Sequence, residues 1–132
     1  MGKLKEFVSS IPVVGRFVRK LYYKLYWFRG SESYWDRRYL SGGTSGAGSY
    51  GKFAEFKAEI LNEFVRENGV MTVVEYGCGD GNQLKMVSYP QYLGFDVSPA
   101  AISMCKSVFN GDATKQFRLM SEYAGESAEL TL

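Results

Sequence analysis

Val70–Gly81 reads VMTVVEYGCGDG, and after ten intervening residues Tyr92–Pro99 reads YLGFDVSP. The first run, Val70–Tyr76, is rich in β-branched residues and bounded by glycines, which suits a buried parallel strand. Gly77, Gly79 and Gly81 then alternate. Glycines at such a turn let the backbone reverse sharply and approach a ligand closely, while the helix that follows offers free N–H groups. Tyr92–Val97 reads as a second strand, and Asp96 ends it nineteen residues past Gly77. A carboxylate there lies beside the first turn and can accept both hydroxyls of a ribose. The competing reading is a glycine turn with a capping aspartate and no ligand. A dinucleotide fingerprint, G-x-G-x-x-G, is excluded, because its third glycine position holds Asn82.

The flanking sequence extends this unit. A short helix is expected from Asn82 to about Val87, ended before Pro90, and Ser98 caps a helix that Pro99 opens and that runs to about Phe109. A third strand is expected at Gln116–Met120 and a fourth at Ala128–Leu132. Strands alternating with short helices imply an α/β fold, a Rossmann-like parallel sheet with right-handed crossovers. Upstream, Lys52–Asn68 has helical periodicity: Phe53, Phe56, Ile60, Leu61, Phe64 and Val65 make one apolar stripe, and Gly69 supplies the stop. Ser41–Gly51 (SGGTSGAGSYG) closes a region read as loop, conformationally permissive and in its plainest reading a linker.

The chain has 132 residues, which allows one domain, and its 45% hydrophobic and 23% charged content exclude a wholly disordered or collagen-like chain. It has no histidine, which removes Ser-His-Asp and Cys-His triads and every His-ligated metal site, and no metal is expected. Cys78 and Cys105 are too few for a disulfide framework, so a reducing compartment is the default. Cys78 reads as a small residue in a tight turn, not as a nucleophile.

Charge is unevenly distributed. Residues 1–30 carry seven basic groups and one acid, whereas residues 31–132 carry nine basic and thirteen acidic groups. The apolar run Phe7–Gly15 is interrupted by Ser9, Ser10 and Pro12, unlike a secretory signal. From Val13 to Phe28, Val14, Phe17, Val18, Leu21, Leu25 and Phe28 fall in a narrow arc at helical spacing, with Arg16, Arg19, Lys20 and Lys24 opposite. Such a basic amphipathic arm suits an anionic membrane surface, or packing on the protein's own body or on a partner. Nucleic acid is disfavoured as a partner because the remaining chain is acidic.

Glu75 stands two residues ahead of the glycine turn. VVEYGCGDG followed by GFDVS resembles motif I and the following acidic motif of the class I S-adenosylmethionine-dependent methyltransferases. YWDRRY (Tyr34–Tyr39) and SGAGSYGKFAEFKAE resemble the lead-in of a bacterial branch of that superfamily, so the likeness covers about residues 33–132. It implies that Gly77, Gly79 and Gly81 pass under the methionine and ribose of S-adenosyl-L-methionine. Glu75 would orient the methionine ammonium, Asp96 would hold the ribose, Val97 would pack on adenine, and Ser121 and Glu122 would meet the adenine edge. The implied activity is methyl transfer, to a small-molecule or glycan acceptor before nucleic acid, in the cytoplasm or on the inner face of the membrane. The alternative is a non-catalytic nucleoside-binding or interaction module. The family's sheet has seven strands, so residues 31–132 are expected to form the N-terminal part of its domain, about strands 1–4, with no catalytic residue assignable.

Overall fold

The strand at Val70–Tyr76 forms because its neighbours can pair with it on both sides. In the computed structural model, which describes residues 30–132, β1 (Thr72–Tyr76) lies between β2 (Gln91–Asp96) and β4 (Leu130–Thr131). β3 (Lys115–Leu119) pairs with the far side of β2, giving a four-stranded sheet in the order β3-β2-β1-β4, parallel throughout. This is the expected α/β, Rossmann-like arrangement. The basic arm lies outside the described residues, apart from Gly30.

One face of the sheet carries Val73, Tyr92 and Phe117, brought side by side by the Val73↔Tyr92 and Gly94↔Phe117 registers. They form the core with Ile102 and Cys105 of α3 (Pro99–Val108), and with Ala58 and Val65 of α2 (Gly51–Asn68). Tyr89 stacks on Tyr92 at 5.7 Å between centroids, and Phe109 stacks on Phe117 at 5.6 Å. Gly94 occupies a strand interior because a Cβ there would come within 2.8 Å of the Cys78 Cβ.

Local signals place the helix ends. Ser98 Oγ accepts from Ala101 N at 3.2 Å, and Pro99 begins α3. Gly69 closes α2 at φ +61°, with its N–H on Arg66 O and Val70 N on Val65 O, the paired bonds of a Schellman motif. At the other end of the sheet Glu129 accepts from Met71 N (2.6 Å) and Thr72 N (3.0 Å), while its own N–H donates to Thr72 Oγ1 at 3.1 Å. β4 is thereby tied to the start of β1.

Three sequence expectations need correction. Ser31–Leu40 is a helix, α1, within the region read as loop. The helix expected at Asn82–Val87 shrinks to a 3₁₀ turn, Leu84–Met86. Asn82 and Gln83 spend their side chains on Ser49 O (2.7 Å) and Ala54 O (3.0 Å), tying that segment to the upstream chain. The third correction concerns α2, which buries Ala54, Ala58 and Val65, with Leu61 partly buried. Most of its apolar stripe points away from the core: Phe53, Phe56, Ile60 and Phe64 are 71%, 61%, 48% and 45% exposed. The small residues let the helix lie close to its neighbours, and the large ones are left on the outside. Among the described residues, no helix is long and apolar enough to cross a membrane.

Candidate functional site

At the end of β1 the chain turns through Gly77 (φ +93°), Gly79 (φ +60°) and Gly81 (φ +77°), conformations that side-chain-bearing residues rarely adopt. The turn is stitched to β2, because Gly77 N and Cys78 N both donate to Phe95 O, at 2.7 and 3.0 Å. Gly79 N donates to Asp96 Oδ2 at 2.9 Å, and Ser98 N donates to Asp96 Oδ1 at 2.9 Å. From α3, Cys105 Sγ donates to Gly79 O at 3.2 Å. Asp96 thus stands beside the glycine turn, as the sequence spacing implied. It is only 7% exposed, and each of its oxygens retains one lone pair for a further donor.

The three glycines do different work. A Cβ on Gly77 would meet nothing within 4 Å, so open space lies over this residue. A Cβ on Gly79 would overlap the Ser45 hydroxyl and come within 3.1 Å of the Tyr39 hydroxyl. At Gly81 it would press on Phe109 and Cys105, at 3.0 and 3.1 Å. Gly79 and Gly81 are therefore explained by protein packing, while Gly77 is the one with room for a ligand against the backbone.

The group over Gly79 belongs to the glycine-rich segment before α2. Asp80, 4% exposed, accepts from Ser45 N (2.9 Å) and Tyr50 OH (2.8 Å) on Oδ2, and from Asn82 N (3.1 Å) on Oδ1. Asp80 N returns a bond to Ser45 Oγ at 2.9 Å, and the Tyr39 and Ser45 hydroxyls share one at 3.0 Å. Burial alone would raise the Asp80 pKa, but the bonds from Ser45, Tyr50 and Asn82 together outweigh it and lower the pKa. The Tyr50 hydroxyl is pushed up to about 12, by burial first and by its bond to Asp80 second. From α1, Asp36 Oδ1 accepts from Ser98 Oγ and Ala100 N, both at 2.9 Å, which fastens α1 to the start of α3. What reads as a linker is a strap held across the glycine turn.

The remaining expected residues are placed as follows. Glu75 lines a groove of about 330 Å³ with Lys57, Ile60, Tyr89 and Leu132, and its carboxylate accepts from Tyr92 OH at 2.5 Å. Burial raises the Glu75 pKa, against the opposing pull of Tyr92 and Lys57. Val97 follows β2 and is half-buried. Ser121 and Glu122 lie in an exposed 3₁₀ turn after β3, where Glu122 Oε2 accepts from Leu119 N at 2.8 Å. Tyr123 next folds back onto Tyr76 and Phe95, 5.7 Å from each ring, and so reaches the ends of β1 and β2. Cys78 is buried, and its thiol is driven up by a hydrogen bond with Cys105 and by burial, the opposite of an activated nucleophile. Among the described residues no cluster of three metal-binding side chains occurs.

Sequence reasoning missed the roles of Tyr39, Ser45, Tyr50, Asp80 and Tyr123. The available signal was YWDRRY and SGAGSYG, which contain Asp36, Tyr39, Ser45 and Tyr50 but do not say what they touch.

No protein-family model and no curated protein matches the sequence. Solved structures do match. One is CalS10, an amino pentose methyltransferase from Micromonospora echinaspora solved with bound S-adenosylmethionine, at TM-score 0.50 and 18% identity over 64% of this chain and 38% of its own. Another, assigned as an O-methyltransferase from Klebsiella pneumoniae, matches at TM-score 0.51 and 15% identity over 86% of this chain and 57% of its own. The chain thus spans about two fifths and under three fifths of their lengths. With its strand order β3-β2-β1-β4, its glycine turn and Asp96 beside that turn, the chain shares the Rossmann-like α/β fold of the region it matches in these two structures.

Proposed function

We propose that the chain binds S-adenosyl-L-methionine at the Gly77–Gly81 turn and serves methyl transfer to a small-molecule or glycan acceptor. The observation that carries this reading is the open space over Gly77 with Asp96 beside the same turn. The turn sits at the C-terminal end of β1, where the chain order reverses between β1 and β4, the place where open α/β sheets form ligand crevices. The residues fit the group. Gly77 lets the cofactor lie against the backbone, and the free lone pairs of Asp96 suit ribose hydroxyls. Glu75 supplies an acid for the methionine ammonium, and Val97, Ser121 and Glu122 follow the strands that flank the adenine end. When bound, the cofactor supplies a sulfonium methyl already activated for transfer. The protein's part is then to hold and orient, and the strap over Gly79 fixes one wall of the site.

Titration calorimetry with S-adenosylhomocysteine tests the reading. Asp96→Ala is expected to weaken binding by about 1.5–3 kcal/mol, because the ribose loses a charged acceptor. No binding by the parent protein, or equal binding by the variant, would overturn the cofactor site. Transfer of labelled methyl to sugar and small-molecule acceptors separates a catalyst from a binding module.

For the basic arm we propose an anionic membrane surface on the cytoplasmic side. Co-sedimentation with anionic vesicles should fall as salt rises, since each basic group near such a surface contributes about 1 kcal/mol. Deleting residues 1–30 should abolish co-sedimentation and leave cofactor affinity unchanged. Equal binding to neutral and anionic vesicles would refute an electrostatic anchor.

A further inference from the structure

Tyr92 is a phenol in a place that packing alone would give to phenylalanine. It is 3% exposed, with its ring against Tyr89 (5.7 Å between centroids) and Phe117 (5.9 Å). The β1–β2 register sets Val73 beside Tyr92 and Glu75 beside Gly94, and residues two apart on a strand share a face. The phenol runs along β2 above Gly94, since a Cβ on that glycine would come within 2.9 Å of Tyr92 Cε1 and of its hydroxyl. The missing side chain of Gly94 lets the ring reach the next residue pair, where Tyr92 OH donates to Glu75 Oε2 at 2.5 Å. Among the described residues no other hydrogen bond reaches this carboxylate, so Oε1 keeps its lone pairs for a further donor. Burying a phenol and a carboxylate together costs the fold more than an apolar pair of the same size would. A task for the carboxylate accounts for that cost.

We propose that Tyr92 is a positioning residue of the cofactor site: its hydroxyl fixes Glu75 through Oε2 and so presents Oε1 to the methionine ammonium. The inference rests on the cofactor reading above and adds to it the residue that holds Glu75 in place. The charges around Glu75 make the hydroxyl matter. Burial raises the Glu75 pKa, the Tyr92 bond and then Lys57 of α2 pull it back, and Asp96 at the end of β2 pushes it up. Tyr89 and Cys78 also face Glu75, and both are driven up, Tyr89 by burial first and Cys78 by its bond with Cys105 first. Tyr92 is driven up by burial and next by the Glu75 charge, so it remains a donor at neutral pH. Without the hydroxyl, Lys57 alone opposes burial, and Glu75 takes up a proton at higher pH. A neutral Glu75 no longer attracts an ammonium.

Tyr92→Phe removes the hydroxyl and keeps the ring. Calorimetry on the full chain compares two probes, S-adenosylhomocysteine and methylthioadenosine, the second of which lacks the amino-acid end. Affinity for S-adenosylhomocysteine is expected to fall about 5–20-fold at neutral pH, and its loss on acidification should begin at a higher pH than in the parent. Affinity for methylthioadenosine should be unchanged in both respects. In a Glu75→Gln background, Tyr92→Phe should weaken S-adenosylhomocysteine by less than ~2-fold further, because the charge that the hydroxyl supports is gone. Carbon nuclear magnetic resonance on the ligand-free protein should show the Glu75 carboxyl titrating at higher pH in Tyr92→Phe, which reads the positioning without any cofactor. Three results would each overturn the proposal and leave the cofactor site standing. They are an equal loss for both probes (the outcome of a merely structural role), an unchanged affinity and pH profile for S-adenosylhomocysteine, and an unchanged Glu75 titration. Failure of the parent protein to bind either probe would instead overturn the cofactor reading, and this inference with it.

Discussion

Gly79→Val is expected to lower stability by about 2–6 kcal/mol and to weaken cofactor binding more than ~100-fold. A β-branched residue at φ +60° is strained by about 1–3 kcal/mol, and its side chain must also displace Ser45, at a similar cost. Displacing Ser45 breaks its two bonds to Asp80 and frees the strap, so the wall of the site goes with the fold. Gly77→Ala is the informative contrast. Its Cβ meets no protein atom within 4 Å, so the stability cost is limited to the strain of φ +93°, about 1–3 kcal/mol. If the cofactor lies over Gly77, affinity should nonetheless fall sharply. Thermal melts paired with calorimetry read both quantities. Unchanged affinity in Gly77→Ala would move the cofactor off this glycine.

Asp80→Ala is the second large effect, an expected loss of about 2–4 kcal/mol. It leaves Ser45 N, Tyr50 OH and Asn82 N without their acceptor in a poorly exposed place. Asp80→Asn keeps the shape and removes the charge, which gives the contact a pH signature. The folded pKa of Asp80 lies below its ordinary value of 3.8, so the carboxylate contributes stability above that value and loses it as pH falls through the lowered folded pKa. The tie between strap and turn should hold at neutral pH and fail under acid. The difference in melting temperature between parent and Asp80→Asn should therefore shrink below about pH 4. The protection factor of the Ser45 amide, which corrects for the intrinsic pH dependence of exchange, should fall in the parent over the same window and be low at all pH in the variant. A pH-independent difference would mean that the Asp80 charge is not what holds the strap.

The strands were legible because their signals are local. Thr72–Tyr76 is β-branched and stops at a glycine, and Gln91–Asp96 ends on the acid that its own spacing from Gly77 singled out. The ends of α2 and α3 were legible for the same reason, since Gly69, Ser98 and Pro99 act on the backbone next to them. The orientation of α2 was not. Hydropathy ranks Phe53, Phe56 and Phe64 above Ala54 and Ala58, yet the alanines are buried because a close helix approach needs small residues. Nor was the strap legible: Ser45 and Asp80 are 35 residues apart, and no periodicity links them. Ser45 and Tyr50 stand in a glycine-rich stretch that local rules assign to a linker. Only contact with the turn shows that the stretch is fixed.

The clamp at Glu129 sets the order in which the sheet can assemble. Its carboxylate meets Met71 and Thr72 across 58 and 57 residues, whereas β1 and β2 pair across about 20 and β2 and β3 across about 23. Tripling the loop adds about 1 kcal/mol to the entropy of closure, and β4 repays it with two strand residues. β1, β2, α3 and β3 can therefore form a folding unit of short-range contacts, on which β4 docks last. Opening runs in reverse, so the Leu132 amide, bonded to Val74 O at 2.9 Å, belongs to the segment that detaches at the lowest free energy. That segment lies beside Glu75 in the same groove, so exchange at the Leu132 amide should report on the wall of the proposed cofactor site.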